Sequence, residues 1–246
     1  MYHPAQVEGE GRASRDCGVL LCHPTGHEYI RCHRGLRELA VRLARAGFPV
    51  VRFDYAGSGD STGETSDVRL ADWSNDVRNA AAYLRACSLA PTTCLVGLRL
   101  GANLALEAAR ELGDVDFLAL WQPVASGADY LAEIRAQHAE LAREVGERES
   151  AGSEVLGFSY SDEMLRDIAG VDFHAATGEV CERALLIDNT EAGLDEGLRA
   201  HAATLTEELD PLHVPEPRFW DAEPYEAVMP HHTAQGILRW LEETAE

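Results

Sequence analysis

The chain is 246 residues long and 46% hydrophobic, with 42 acidic residues against 21 basic ones, all of them arginine, for a formal charge of −21. That length and apolar content suit one folded domain with a sizeable core, while the charge repels nucleic acid and anionic membrane surfaces and excludes both as partners. The first residues form no charged-then-apolar leader and no apolar run approaches the ~20 residues of a membrane span, which predicts a cytoplasmic location.

Residues 1–15 are polar and read as a lead-in. Asp16–Cys22 is a short, almost continuous apolar run, the pattern of a strand buried on both faces. It empties into the turn-rich His23-Pro-Thr-Gly-His-Glu-Tyr29. Leu36, Leu39, Ala40 and Leu43 then recur at helical spacing up to a stop at Gly47. Pro49–Phe53 predicts a second strand, followed by the glycine loop Asp54–Gly63. Trp73, Val77, Ala81 and Leu84 mark a second amphipathic helix. The apolar run Cys94–Val96 predicts a third strand, residues through Leu112 a helix, and Val115–Trp121 a fourth strand. Strands alternating with helices at this spacing predict an α/β fold, a mostly parallel sheet with helices on both faces.

From Val124 to about Val180 the alternation breaks. A charged amphipathic helix (129–148) is followed by a short extended piece and another helix within 157–173. An insertion here, between two core strands, predicts a helical lid over the carboxyl edge of the sheet, with Glu147–Ser153 as its protease-sensitive tip. Arg183–Ile187 returns to the sheet. A helix over 192–209, a last strand at Leu212–Phe219 and a closing helix bearing Ala234, Ile237, Leu238 and Leu241 complete a single domain over 1–246.

The centre of this pattern is Gly97-Leu-Arg-Leu-Gly101, between an apolar strand and a helix. Strand, tight Gly-x-x-x-Gly turn, helix is the shape of the nucleophile elbow Gly-x-Ser-x-Gly, which lifts its middle residue to the top of a sheet. Here the middle residue is Arg99, which cannot be deprotonated and so cannot accept an acyl group. With that elbow, the loop His23-Pro-Thr-Gly26, and Gly47-Phe-Pro-Val-Val-Arg-Phe-Asp-Tyr-Ala-Gly-Ser-Gly-Asp-Ser61, the chain resembles the α/β-hydrolases of the serine-aminopeptidase and lysophospholipase kind over roughly residues 16–243. In finer detail it resembles hydrolase-like proteins found with bacterial exosortase systems, one branch of which has Gly-Leu-Arg-x-Gly at its elbow. Glu154-Val-Leu-Gly-Phe158 and Arg218-Phe-Trp220 also look like that branch.

The resemblance implies an oxyanion hole built from the backbone N–H of Leu100 and one from the loop at Thr25 and Gly26. It also implies an acid after the strand ending at Ile187, with Asp188, Glu191 and Asp195 as candidates. The family's histidine follows the last strand. Here that region runs through Trp220, expected to face the substrate, and carries no histidine before His231 and His232. A serine-hydrolase triad is therefore not supported. His23 and His27 are left as candidate acid–base groups, with Asp188, since an imidazole titrates near neutrality.

His23, His27, Glu28, Cys32 and His33 match no metal-ligand spacing, and the six cysteines show no C-x-x-C pair, so no metal and no cofactor are expected. Cys22 ends a buried strand and reads as core. Ser58 and Ser61 read as turn-makers. Arg99 has two readings: at a helix N-terminus it would bind an anionic small molecule, or it would pair with a neighbouring carboxylate and plug the old active site. Three functions follow. One is a non-classical acid–base, cyclisation or group-transfer enzyme of bacterial specialised metabolism. The second is an inactive partner or scaffold for a biosynthetic enzyme or carrier, binding another protein, a second copy of itself or an acyl-carrier-linked intermediate. The third is a hydrolase that activates water without an acyl-enzyme.

Overall fold

The structure, a computed structural model, describes residues 1–6, 14–145, 154–222 and 228–245. Its frame is a seven-stranded sheet in the order β1 (Tyr2–His3), β3 (Val50–Arg52), β2 (Cys17–Cys22), β4 (Thr92–Leu98), β5 (Phe117–Trp121), β8 (Cys181–Asp188), β9 (Thr206–His213). Only β1 runs antiparallel to its neighbour. The residues of β2 alternate between two cores. Cys17, Val19 and Leu21 face α1 (Gly26–Arg45) and α7 (His231–Thr244); Leu20 and Cys22 face α2 (Leu70–Ser88) and α3 (Leu100–Leu112). A strand so enclosed is apolar at every position, which is why the run is continuous rather than alternating.

Between β5 and β8 lies the insertion: α4 (Gly127–Val145), a small hairpin of β6 (Glu154–Val155) and β7 (Phe158–Ser159), and α5 (Asp162–Ala169). Its two roots are joined, since Gly127 N–H donates to Val171 O (2.7 Å) and Phe173 N–H to Ala125 O (3.1 Å). Arg69, at the start of α2, holds Asp167 of α5 through two 2.7 Å bonds. The Glu147–Ser153 tip lies outside the described residues.

Three boundaries differ from expectation. The first long helix begins at Gly26, inside what reads as a loop. The helix predicted over 192–209 is only α6 (Glu196–Ala202), and the last strand is Thr206–His213 rather than Leu212–Phe219. Leu205, Leu209 and Leu212 sit at helical spacing, but Leu205 is a buried residue before the strand, and Leu209 and Leu212 are partly covered residues of the edge strand. As an edge strand β9 accommodates Pro211 opposite Leu186, and its pairing ends at His213, before Pro215 and Pro217.

Candidate functional site

β2, β4, β5 and β8 end at one edge of the sheet, in register at Cys22↔Gly97, Leu98↔Trp121 and Trp121↔Ile187. Arg99 sits at that edge, between β4 and α3. Its backbone is in the left-handed half of conformational space (φ 54°, ψ −127°), which a non-glycine residue occupies only under constraint. The constraint is local packing. A Cβ on Gly97 would collide with the backbone of Gly101 and Ala102, and one on Gly101 would collide with the carbonyls of Cys22 and His23. Arg99 N–H donates to Trp121 O and its carbonyl accepts from Ala102 N–H, both at 2.9 Å. The elbow is thus fully formed around a residue that cannot be a nucleophile.

The Arg99 side chain is buried and paired. Its Nε donates to Glu28 Oε1 at 2.9 Å, and its Nη2 to Glu133 Oε2 at 3.1 Å. Glu28, in the first turn of α1, is 1% exposed, and its other oxygen accepts from the Tyr130 hydroxyl at 3.1 Å. Glu133 and Tyr130 both come from α4. The guanidinium carbon also stands 5.4 Å from the Tyr130 ring and 5.6 Å from the Trp220 ring, within cation–π range. Burial pulls the Arg99 pKa down, but the field and hydrogen bond of Glu28, then Tyr130 and Glu133, more than offset it, and the group stays charged. Burial likewise pushes the Glu28 carboxyl upward while Arg99 pulls it down. With a guanidinium that stays protonated on one side, we read the pair as ionic.

Of the sequence-predicted residues, the structure brings Arg99 and Trp220 together. Trp220 is fully buried after the last strand, where the family's histidine was sought, and its indole N–H has no partner among the described residues. His27 is also buried, and its Nε2 is likewise unpartnered among those residues. Burial first, then Arg31 and Arg99, pulls its pKa from 6.5 down to about 4, so the ring is neutral at pH 7. Leu100 follows Arg99 as the first residue of α3 and is fully buried. Thr25 caps the start of α1, and Gly26 (φ 59°) lies directly under the Tyr160 hydroxyl, so that any side chain there would strike it. The expected oxyanion loop is covered by the insertion.

His23 and Asp188 lie apart from this cluster. The His23 Nδ1–H donates to Pro24 O at 2.8 Å, its ring packs against Tyr29 and Tyr55, and its Nε2 stands 3.7 Å from Asp54 Oδ1. Burial lowers its pKa against the pull of the Pro24 carbonyl and Asp54. Asp188 accepts from Thr190 N–H (2.9 Å), the Thr190 hydroxyl (2.7 Å) and the Gln122 amide (3.2 Å), bracing the ends of β5 and β8. Thr190 belongs to the turn after β8 and Gln122 to the end of β5, and neither is a histidine. His231 pairs with Arg42 at 2.8 Å on the surface, and the His232 N–H bonds Glu216. The Cys22 thiol is buried, and burial pushes its pKa up. Among the described residues no group of three or more His, Cys, Asp or Glu could hold a metal ion, and no helix is long and apolar enough to cross a membrane.

The anion expected at Arg99 is therefore supplied by the chain, from Glu28 and Glu133, neither of which the sequence names as its partner, and not from the acidic residues that follow Ile187. One signal was available. Tyr130 and Glu133 are three apart on a helix and so share a face. A groove of about 590 Å³ opens elsewhere, between α2, α3 and α5, and is lined by Ser74, Asn103, Glu107, Arg110 and Phe173; it reaches the elbow only at Leu100.

No family model matches the chain, and no curated protein does. Solved structures do. The chain is similar to the esterase Est1E of Butyrivibrio proteoclasticus, solved with ferulic acid bound (16% identity, TM-score 0.68, covering 99% of this chain and 94% of that one). It is similar to the Pyrococcus furiosus esterase Pf2001 (12%, TM-score 0.65, 94% and 83%) and to a lipase-esterase related protein from Clostridium acetobutylicum (16%, TM-score 0.62, 99% and 98%). At these identities the likeness is one of fold. The chain has the α/β-hydrolase fold, and the fold alone does not carry the esterases' activity over to it.

Proposed function

We propose that this is a hydrolase-fold protein that acts by binding rather than by acyl transfer, in the cytoplasm of a bacterium and in the service of specialised metabolism. The observation that carries the reading is the Arg99–Glu28 pair. At the position where the fold presents a nucleophile stands a guanidinium, buried, charged and matched by a buried carboxylate, with the Trp220 indole against it. Nothing in that arrangement can attack a carbonyl or relay a proton from a hydroxyl. The resemblance of Gly97–Gly101, Glu154–Phe158 and Arg218–Trp220 to the exosortase-associated branch supports the same reading.

The test is a fluorophosphonate probe on the full chain, read by intact mass, beside a panel of p-nitrophenyl esters. The expected result is no adduct and no burst of product. Stoichiometric labelling, at Ser58, Ser61 or any other serine, would refute it.

A second reading has one specific observation in its favour. The neutral, unpartnered His27 Nε2 is a proton acceptor held beside charged arginines, as a general base for a non-acylating step would be. Were it correct, activity on the true substrate would follow a base of depressed pKa and vanish in His27→Gln.

A further inference from the structure

The two carboxylates on Arg99 are not equivalent. Glu28 is 1% exposed, lies on a core helix and has both oxygens engaged. The Glu133 side chain is 35% exposed and lies on the insertion. Its Oε2 accepts from Arg99 Nη2 at 3.1 Å, and its Oε1 from Arg218 Nη2 at 3.4 Å, while Arg218 also pairs with Asp221. A carboxylate bridging two guanidinium groups, one buried and one at the rim, has the contacts of a bound anion. It differs only in being tethered.

We propose that Glu133 occupies a ligand site, and that a small oxyanion, the carboxylate or phosphate end of a metabolite, takes its place between Arg99 and Arg218. This rests on the binding reading above and names the ligand class. Exchange rather than addition is required by charge. Arg99 and Arg218 are already matched by Glu28, Glu133 and Asp221, and a further anion beside a fully buried carboxylate would be opposed by both repulsion and desolvation. Glu28 is the wrong group to leave, because it would strand a buried charge. Glu133 can leave at little cost, because it swings into water.

Two buried polar atoms are left without partners among the described residues, Nε1 of Trp220, whose ring packs on the Arg99 guanidinium, and Nε2 of His27, which feels the Arg99 charge. Buried polar atoms without partners are uncommon, and a ligand larger than a carboxylate side chain would give them one. Exchange also has a mechanical consequence. Tyr130 stays bonded to Glu28 while Glu133, one turn later, is freed, so α4 loosens beyond its first turn without detaching.

The experiment is isothermal titration of the full chain with inorganic phosphate and, separately, acetate, each against chloride at matched ionic strength. The same titrations are run on Glu133→Gln and Arg218→Met. Removing the tethered competitor should tighten binding by about tenfold, equivalent to about 1.4 kcal/mol, and Arg218→Met should weaken it. Phosphate should speed hydrogen exchange of the α4 amides from 133 onward in wild type. The stronger of the two anions identifies the ligand's headgroup. Arg99→Met combined with Glu28→Gln, which avoids leaving a lone buried charge, should abolish the response. Binding that is unchanged or weaker in Glu133→Gln, or that survives the Arg99 double substitution, overturns the proposal. So does no response to either anion in any of these proteins. In that case a protein still unlabelled by fluorophosphonate leaves the non-acylating reading standing, whereas labelling removes that reading whatever the titrations show.

Discussion

Glu28→Gln tests the ion pair at the elbow most directly. The substitution keeps the shape of the side chain and, with the amide oxygen toward Arg99, the bond accepted from its Nε, while the amide nitrogen can only donate to the Tyr130 hydroxyl; it removes the charge. The guanidinium cannot shed its proton, so it is left buried with only the partly solvated Glu133 opposite it. Breaking a buried pair from one side generally costs about 3–5 kcal/mol. The retained hydrogen bond and Glu133 place this case at the low end, about 3 kcal/mol. For a domain of this length that corresponds to a fall in Tm of roughly 6–12 °C. Arg99→Met should cost less, because the orphaned Glu28, whose carboxyl burial already pushes upward, can take up a proton. The double substitution should return close to wild type, since well-packed neutral groups replace buried pairs at little cost. The assay is urea denaturation at pH 7 of the four proteins as a double-mutant cycle. A Glu28→Gln loss below about 1 kcal/mol, or losses that simply add, would refute the buried-pair account, because coupled charges in contact are non-additive.

Three further outcomes follow from the same geometry. His27, whose pKa is lowered from 6.5 to about 4, takes up its proton first in the unfolded chain, so stability falls as pH falls between those values. This residue alone should cost about 2 kcal/mol between pH 7 and pH 5, and urea titrations of His27→Gln over that range should show a correspondingly shallower slope; equal slopes would count against the buried neutral ring. Gly101→Ala should destabilise the fold by about 1–3 kcal/mol, because its new methyl meets the Cys22 and His23 carbonyls, and a melting temperature unchanged from wild type would contradict that packing. Arg99→Ser should leave p-nitrophenyl acetate turnover at the wild-type level, because the side chains bonded to or stacked on residue 99 are Glu28, Glu133, Tyr130 and Trp220, none of them an imidazole, and triad members act as a unit; clear esterase activity in that variant would show that a base had been overlooked.

The fold was legible where burial wrote a repeating pattern. Cys17–Cys22 and Phe117–Trp121 are enclosed on both faces and read as strands at once, and α2 shows its buried stripe at Trp73, Val77, Ala81 and Leu84. The edge strand β9 was misread for the converse reason: with one side solvated, its leucines fell at a helical interval. The start of α1 was hidden because Gly26 takes a left-handed conformation that local chemistry reads as a turn. In the site, Arg99 could be placed from the Gly-x-x-x-Gly frame alone. Its partners could not, since Glu28 and Glu133 lie 71 and 34 positions away, on two different elements. Nothing in a linear sequence says which of many carboxylates a long side chain will reach once helices from the core and the insertion converge.

The elbow itself shows why Arg99 ends where it does. A left-handed non-glycine residue of this kind costs about 1–3 kcal/mol, and in an esterase that strain is tied to presenting the nucleophile. Here no nucleophile exists, yet the conformation is retained. The reason lies in the glycines on either side. Gly97 and Gly101 let β4, α3 and the His23 loop touch backbone to backbone, and once they do, residue 99 has a single path between strand and helix. The backbone is therefore dictated by packing and is indifferent to the side chain it carries. An arginine placed on that path points to the carboxyl edge of the sheet, where an oxygen-rich environment is the only stable surrounding for it. Glu28 supplies the permanent part of that environment from the core, and Glu133 the exposed part from the insertion. The arginine thereby ties the insertion to the sheet at the point where the fold elsewhere performs chemistry, and any ligand that enters must first compete with that tie.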